Sequence, residues 1–136
     1  MRVVFADTSY WIAFLNPRDG LHAKAIALSQ QVATSRIVTS EMVLAELLNS
    51  FSAAGPGLRS SAVRTVEALL GSHSVVVFPQ TSEQFARALQ RYKQSEDKGW
   101  SLTDCASFQI METERIRAAL THDLHFAQAG YEALLR

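Results

Sequence analysis

"RVVFADTSYWIAFL" (residues 2–15) decides the fold. Its first part, residues 2–6, is a continuous apolar run of the kind found in strands covered on both faces. Such strands belong to parallel sheets with helices on each side, because a strand with one wet face alternates polar and apolar residues. The second part, "TSYWIAFLN" (8–16), reads as a short helix that ends at Pro17. Between them stands Asp7, a carboxylate at the exit of a buried run. Ionised carboxylates are seldom buried unpaired, since desolvation costs several kcal/mol or forces the group to its neutral form. Asp7 therefore either caps the next helix or has a cation to hold.

Outward from this stretch, short β-like runs alternate with longer helical patterns. "DGLHAKAIALSQQVA" (19–33) places Leu21, Ala25, Leu28 and Val32 at helical spacing, with Asp19 as its N-cap. "RIVTS" (36–40) is a strand. "SEMVLAELLNSFSAA" (40–54) is a helix with Leu44, Leu47, Leu48 and Phe51 on one stripe, stopped by "GPG" (55–57). A helix over 58–70 closes at Gly71, and "SVVVFP" (74–79) is a second clean apolar strand. "TSEQFARALQRYKQS" (81–95) is amphipathic, with Phe85, Leu89 and Tyr92 expected inward. Residues 101–114 form a helix, 117–121 a strand, and 123–136 one or two short terminal helices. Strands separated by helices predict a three-layer α/β/α sandwich with a short, mainly parallel central sheet, all within one domain spanning 1–136.

Composition narrows the setting. The chain has 136 residues, 48% hydrophobic and 19% charged, as an ordinary globular domain does. Thirteen basic and thirteen acidic side chains cancel, so no global field recruits nucleic acid; any polyanion binding needs a local patch or a metal. The single cysteine, Cys105, excludes an internal disulfide and suits a reducing compartment. Asp7 interrupts what briefly mimics a signal peptide, and no run approaches the ~18 apolar residues of a membrane span. A soluble, cytoplasmic protein is expected.

The architecture locates the chemistry. Ligands of open α/β sheets bind at the carboxyl ends of the strands. Asp7 directly follows the first strand and Asp123 follows strand 117–121 by one residue, so a parallel sheet sets both on one edge. Asp104 is the third candidate: on its helix it lies in line with Phe108 and Met111, inside an apolar arc. Each of the three also stands where an N-cap belongs, and Ser101-Leu-Thr-Asp104 matches a capping box. Helix N-termini tolerate anions, so cap and ligand roles are compatible. Glu46 falls away from the apolar stripe of its helix, and pattern alone does not select it.

Taken in order, "VFADTSYWIA", "VLAELLNSF", "SLTDCASFQIME" and "ALTHDLHFAQAGYEALL" make this chain resemble, end to end, the PIN-domain family, specifically the small VapC-type toxin ribonucleases of type II toxin–antitoxin systems. A first-strand Asp followed by Ser or Thr, a mid-chain Glu, an "SLTD" helix start and a T-x-D-x-x-F close recur there in this order. The resemblance implies an acidic cluster of Asp7, Glu46, Asp104 and Asp123, with Ser9 as a supporting hydroxyl. Glu41 stands one helical turn from Glu46 and competes for the family's glutamate. It implies a metal-dependent endoribonuclease in which Asp7, Asp104 and Asp123 hold Mg²⁺ or Mn²⁺ and Glu46 orients water. It also implies an RNA substrate, a small antitoxin partner and a homodimer. The alternative is a catalytically silent PIN-like nucleic-acid-binding or scaffold domain.

Phosphodiester hydrolysis needs a nucleophilic water and charge stabilisation, which a hard cation on carboxylates supplies. The lack of clustered cysteines favours Mg²⁺ or Mn²⁺ over zinc. His122 and His125 are poorly spaced for a zinc pair and read as surface histidines. Cys105 reads as buried and inert, and Trp11, Phe14 and Trp100 as core aromatics. Arg87, Arg91, Lys93 and Lys98 read as a solvated face, with Arg91 and Lys98 as the alternative nucleic-acid rim. Ser9 occupies the second acidic position of a D-x-D phosphatase motif, and no nucleotide-binding glycine loop occurs.

Overall fold

The computed structural model describes residues 1–136. Five strands, β1 (Val3–Ala6), β2 (Arg36–Ser40), β3 (Val75–Phe78), β4 (Ala118–Leu120) and β5 (Glu132–Ala133), form one sheet in the order β3-β2-β1-β4-β5. Every pairing is parallel. Seven helices flank it: α1 (Thr8–Leu15), α2 (His22–Gln31), α3 (Glu41–Ser50), α4 (Pro56–Leu70), α5 (Ser82–Gln94), α6 (Leu102–Glu114) and α7 (Leu124–Gln128). This is the expected α/β sandwich.

The register positions the site. Phe5 pairs with Ala119 and Ala6 with Leu120, so the next residues along, Asp7 and Thr121, leave the sheet side by side. The Asp7 N–H still donates to the Leu120 carbonyl at 3.1 Å, extending the ladder by one rung. Strand order reverses direction about β1, the kind of switch point at which open α/β sheets bind ligands. Val4, Phe5 and Ala6 are fully buried, as the unbroken apolar run requires. Under the last strands, Phe108 sits edge-on to Trp100 and Phe126 with ring centroids 4.9 Å apart, anchoring α6 and α7 on one aromatic cluster.

Three local expectations are corrected. Helix α2 starts at His22, not Asp19; the Asp19 carboxylate accepts the Leu21 N–H at 2.9 Å in a turn that precedes the helix. The terminal segment is not purely helical, because after α7 the chain turns at Gly130 (φ 97°) and returns as β5. Phe85, Leu89 and Tyr92 of α5 are 42%, 45% and 49% exposed, and the residue turned inward is Ala88. Ala88 packs with Cys105 and Ala106, a contact between small residues that brings α5 and α6 close and leaves the large side chains on the flank.

Candidate active site

At the carboxyl edge of β1 and β4, Asp7, Glu46, Asp104 and Asp123 line one open cleft of about 420 Å³. Thr8, Ser9, Ser50, Ser101 and His125 complete its polar wall, and no lysine or arginine lines it. Each carboxylate arrives on a different element: Asp7 from the end of β1, Glu46 from α3, Asp104 from the first turn of α6, and Asp123 from the start of α7.

Asp7 occupies the N-cap position of α1, and its carbonyl accepts from Tyr10 and Trp11, but its carboxylate makes no capping bond. Thr121 Oγ1 instead donates to Asp7 Oδ2 at 2.8 Å. A hydroxyl has one proton. With that of Thr121 given to Asp7, the Ser9 proton is shared between Asp7 Oδ2 at 3.3 Å and Thr121 Oγ1 at 3.1 Å. Both hydroxyls are held from behind by backbone: His122 N–H donates to Ser9 Oγ, and Asp123 N–H to Thr121 Oγ1. Burial pushes the Asp7 carboxyl up to about 6; the Thr121 hydroxyl and the Thr8 N–H pull against it, and the charges of Asp104 and Asp123 add to the rise.

Asp104 does two things at once. Ser101 and Asp104 form the reciprocal capping box, at 3.0 and 3.1 Å, so the sequence pattern correctly marks the start of α6. The oxygen that accepts the Ser101 N–H, Oδ2, also lies 3.0 Å from His125 Nδ1. Both contacts fall on Oδ2, which leaves Oδ1 without a protein donor. Burial raises the Asp104 carboxyl above its ordinary range, while the Ser101 N–H and His125 hold it back. Asp123 caps the five-residue α7, its Oδ1 accepting from His125 N–H at 2.9 Å, and it stays half-buried.

The remaining residues separate cleanly. Glu46 is half-buried on the cleft wall, whereas Glu41 is exposed and accepts the Gln80 N–H at the end of β3. The histidine expectation needs correcting for one of the pair. Capping of α7 by Asp123 turns the first-turn residue His125 toward α6 and into the cleft, while His122 is exposed, its Nδ1 3.3 Å from the Leu135 carbonyl oxygen. Arg91 bridges α5 to Glu112 of α6 and does not line the cleft. Lys98 pairs with Asp97 at 3.6 Å, one residue before Gly99, which does line it. Cys105 is fully buried, and burial raises its thiol.

Hard carboxylate oxygens dominate this donor set, a buried carboxylate lacks a cationic partner, and the wall carries no permanent positive charge. Those properties fit an oxygen-seeking divalent cation.

The PIN domain family matches residues 4–131. The chain is 30% identical over 132 residues to the 23S rRNA-specific endonuclease VapC20 of Mycobacterium tuberculosis (strains CDC 1551 and H37Rv), the match spanning 95% of both chains. It is also similar to the crystal structure of M. tuberculosis VapC20, described as a sarcin-ricin loop cleaving toxin: TM-score 0.83, 26% identity, 94% of this chain and 95% of that one. FitAcB of Neisseria gonorrhoeae shares the fold at TM-score 0.66 and 17% identity, covering 96% and 95%. With its sheet, its acidic edge and its sequence in agreement from end to end, the chain belongs to the PIN domain family.

Proposed function

We propose that this chain is an endoribonuclease that works with a bound Mg²⁺ or Mn²⁺ ion and serves as the toxin of a toxin–antitoxin pair. The observation that carries the reading is the gathering of Asp7, Glu46, Asp104 and Asp123 in one cleft without a lysine or arginine to neutralise them. Asp7, Asp104 and Asp123 hold the ion in this reading, and Ser9 and Thr121 fix the Asp7 carboxylate. When bound, the ion offsets the charge of the scissile phosphate and lowers the pKa of a water. Glu46, half-buried on the cleft wall, would orient such a water and accept its proton. The cleft is open enough for a backbone to enter, and Lys98 at its loop is a candidate phosphate contact; Arg91, tied to Glu112, contributes by bracing α5.

Ribosomal RNA is the substrate to test first, given the 23S rRNA specificity named for the 30% identical relative. Such an enzyme works in the cytoplasm, and no helix is long and apolar enough to cross a membrane. A small antitoxin inhibits it by placing an Arg or Lys near Asp7 and Asp104 in the place of the cation. A second copy covers the exposed Phe85, Leu89 and Tyr92 of α5.

The test is cleavage of purified ribosomes and of mixed RNAs in Mg²⁺ or Mn²⁺, with EDTA and Asp104→Asn as controls. The expected result is discrete cleavage that EDTA and the variant both abolish. Cleavage that persists unchanged in either control refutes the cation reading.

A further inference from the structure

His125 is the one nitrogen donor on the cleft wall. Its Nδ1 lies 3.0 Å from Asp104 Oδ2 and 3.4 Å from Asp123 Oδ1. One ligating atom from each of the three residues falls within 4.8 Å of the other two. Two donors bound at right angles to one ion, each about 2.1 Å away, are about 3 Å apart. The separations around His125 are therefore those of neighbouring positions on an octahedral ion as well as those of hydrogen bonds.

Two further features suit a ligand. The backbone of His125 is held within reach of both carboxylates, because its N–H donates to Asp123 Oδ1 at 2.9 Å and caps α7. The opposite ring atom, Nε2, makes no protein hydrogen bond. Nε2 is thus free to carry the ring hydrogen in the tautomer whose Nδ1 presents a lone pair.

Resting on the proposed cation-binding cleft, we propose that His125 Nδ1 joins Asp104 and Asp123 as a direct ligand of the ion, and that this nitrogen biases the site toward Mn²⁺ and Co²⁺ over Mg²⁺. Imidazole nitrogen adds little for Mg²⁺, which prefers oxygen and keeps its waters, and more for the later transition ions. A histidine that merely orients Asp104 has a different signature, because loss of such a partner weakens every ion together.

The experiment measures binding and leaves catalysis aside. Metal-free wild type, His125→Ala and His125→Gln are titrated calorimetrically with Mg²⁺, Mn²⁺ and Co²⁺ at neutral pH, after melting curves confirm folding. Both variants are expected to lose about tenfold or more in Mn²⁺ and Co²⁺ affinity. Their Mg²⁺ affinity should change by less than about threefold, so the ratio of affinities shifts. An equal loss for all three ions, or no loss, overturns the inference and leaves the cation reading intact. Failure of wild type to bind any of the ions overturns both. A second readout needs no variant: spin-echo spectra of Mn²⁺-loaded wild type should show modulation from a directly bound imidazole nitrogen. Its absence overturns the assignment even if a variant does not fold.

Discussion

At Asp7, burial and charge pull in opposite directions. The carboxyl is 5% exposed and its pKa rises to about 6, mainly through desolvation, with Asp104 and Asp123 adding to it. The folded chain then binds the Asp7 proton more tightly than the unfolded chain, whose carboxyl titrates near ~4. The unfolding free energy therefore falls as pH rises through the window between ~4 and about 6, and the stability present at the acid end is gone at neutrality. The amount is on the order of 3 kcal/mol. In EDTA, Asp7→Asn should be more stable than wild type at pH ~7 and should lose that advantage toward pH ~4. Urea denaturation of both proteins across the window checks it, the difference between them cancelling the other titrations. Parallel profiles would show that Asp7 is not the group responsible.

Thr121 offers a second residue-scale test. Thr121→Val keeps the shape and removes the shortest side-chain hydrogen bond to the Asp7 carboxylate, leaving the longer bond from Ser9 and the Thr8 N–H. The expected cost is about 1–3 kcal/mol above the Asp7 pKa, shrinking as that carboxyl protonates, because the lost bond is charge-assisted. Neither Thr121 nor His125 was selected as a site residue from the sequence, and the reason is physical. Their partners lie 114 and 21 residues away, and only the β1–β4 register and the turn into α7 bring them together. Asp7, Asp104 and Asp123 were legible because strand ends and helix starts are local signals. Glu46 needed the family resemblance, since nothing in its helical period separates it from a solvated glutamate.

Helix α5 shows where reasoning at the level of the element stops. Its period marks Phe85, Leu89 and Tyr92 as one face, but periodicity does not say what covers that face. The small residues Ala88, Cys105 and Ala106 decided the contact with α6 and left the stripe outside. Substitution of Leu89 by Glu should change monomer stability by less than about 0.5 kcal/mol, as for other exposed positions. It should instead break the proposed homodimer into monomers, read by sedimentation equilibrium. Strand β5 was missed for a different reason: it has two residues, too few for any alternation, and its neighbours Leu134 and Leu135 read equally well as helix. Its place is set by pairing with β4 and by Leu135, which is fully buried and donates its N–H to the Thr121 carbonyl.

For the whole molecule, the alternation of strands and helices was enough to give the parallel sandwich, and parallel strands put both strand-end carboxylates on one edge without further information. A divalent ion that binds only the folded cleft should stabilise the entire domain by mass action, by about 2.7 kcal/mol at one hundred times its Kd. Asp104→Asn should reduce that gain sharply while retaining part of its capping bond to Ser101, since the amide oxygen still accepts. Thermal melts of both proteins with EDTA or excess Mg²⁺ measure it, and an equal gain in the two would confine Asp104 to capping.

The pairing of Asp7 with Thr121 spans 114 residues. During synthesis, Asp7 leaves the ribosome early and waits, without Thr121, Asp123 or His125, until β4 and the turn after it have also emerged. A nascent chain stalled or cut before that point holds Asp7, Ser9 and Glu46 but lacks the wall of the cleft that β4 and α7 supply. Vectorial synthesis thus leaves the proposed RNA-cleaving cleft incomplete while the chain is still attached to the machine, built largely of RNA, that is making it.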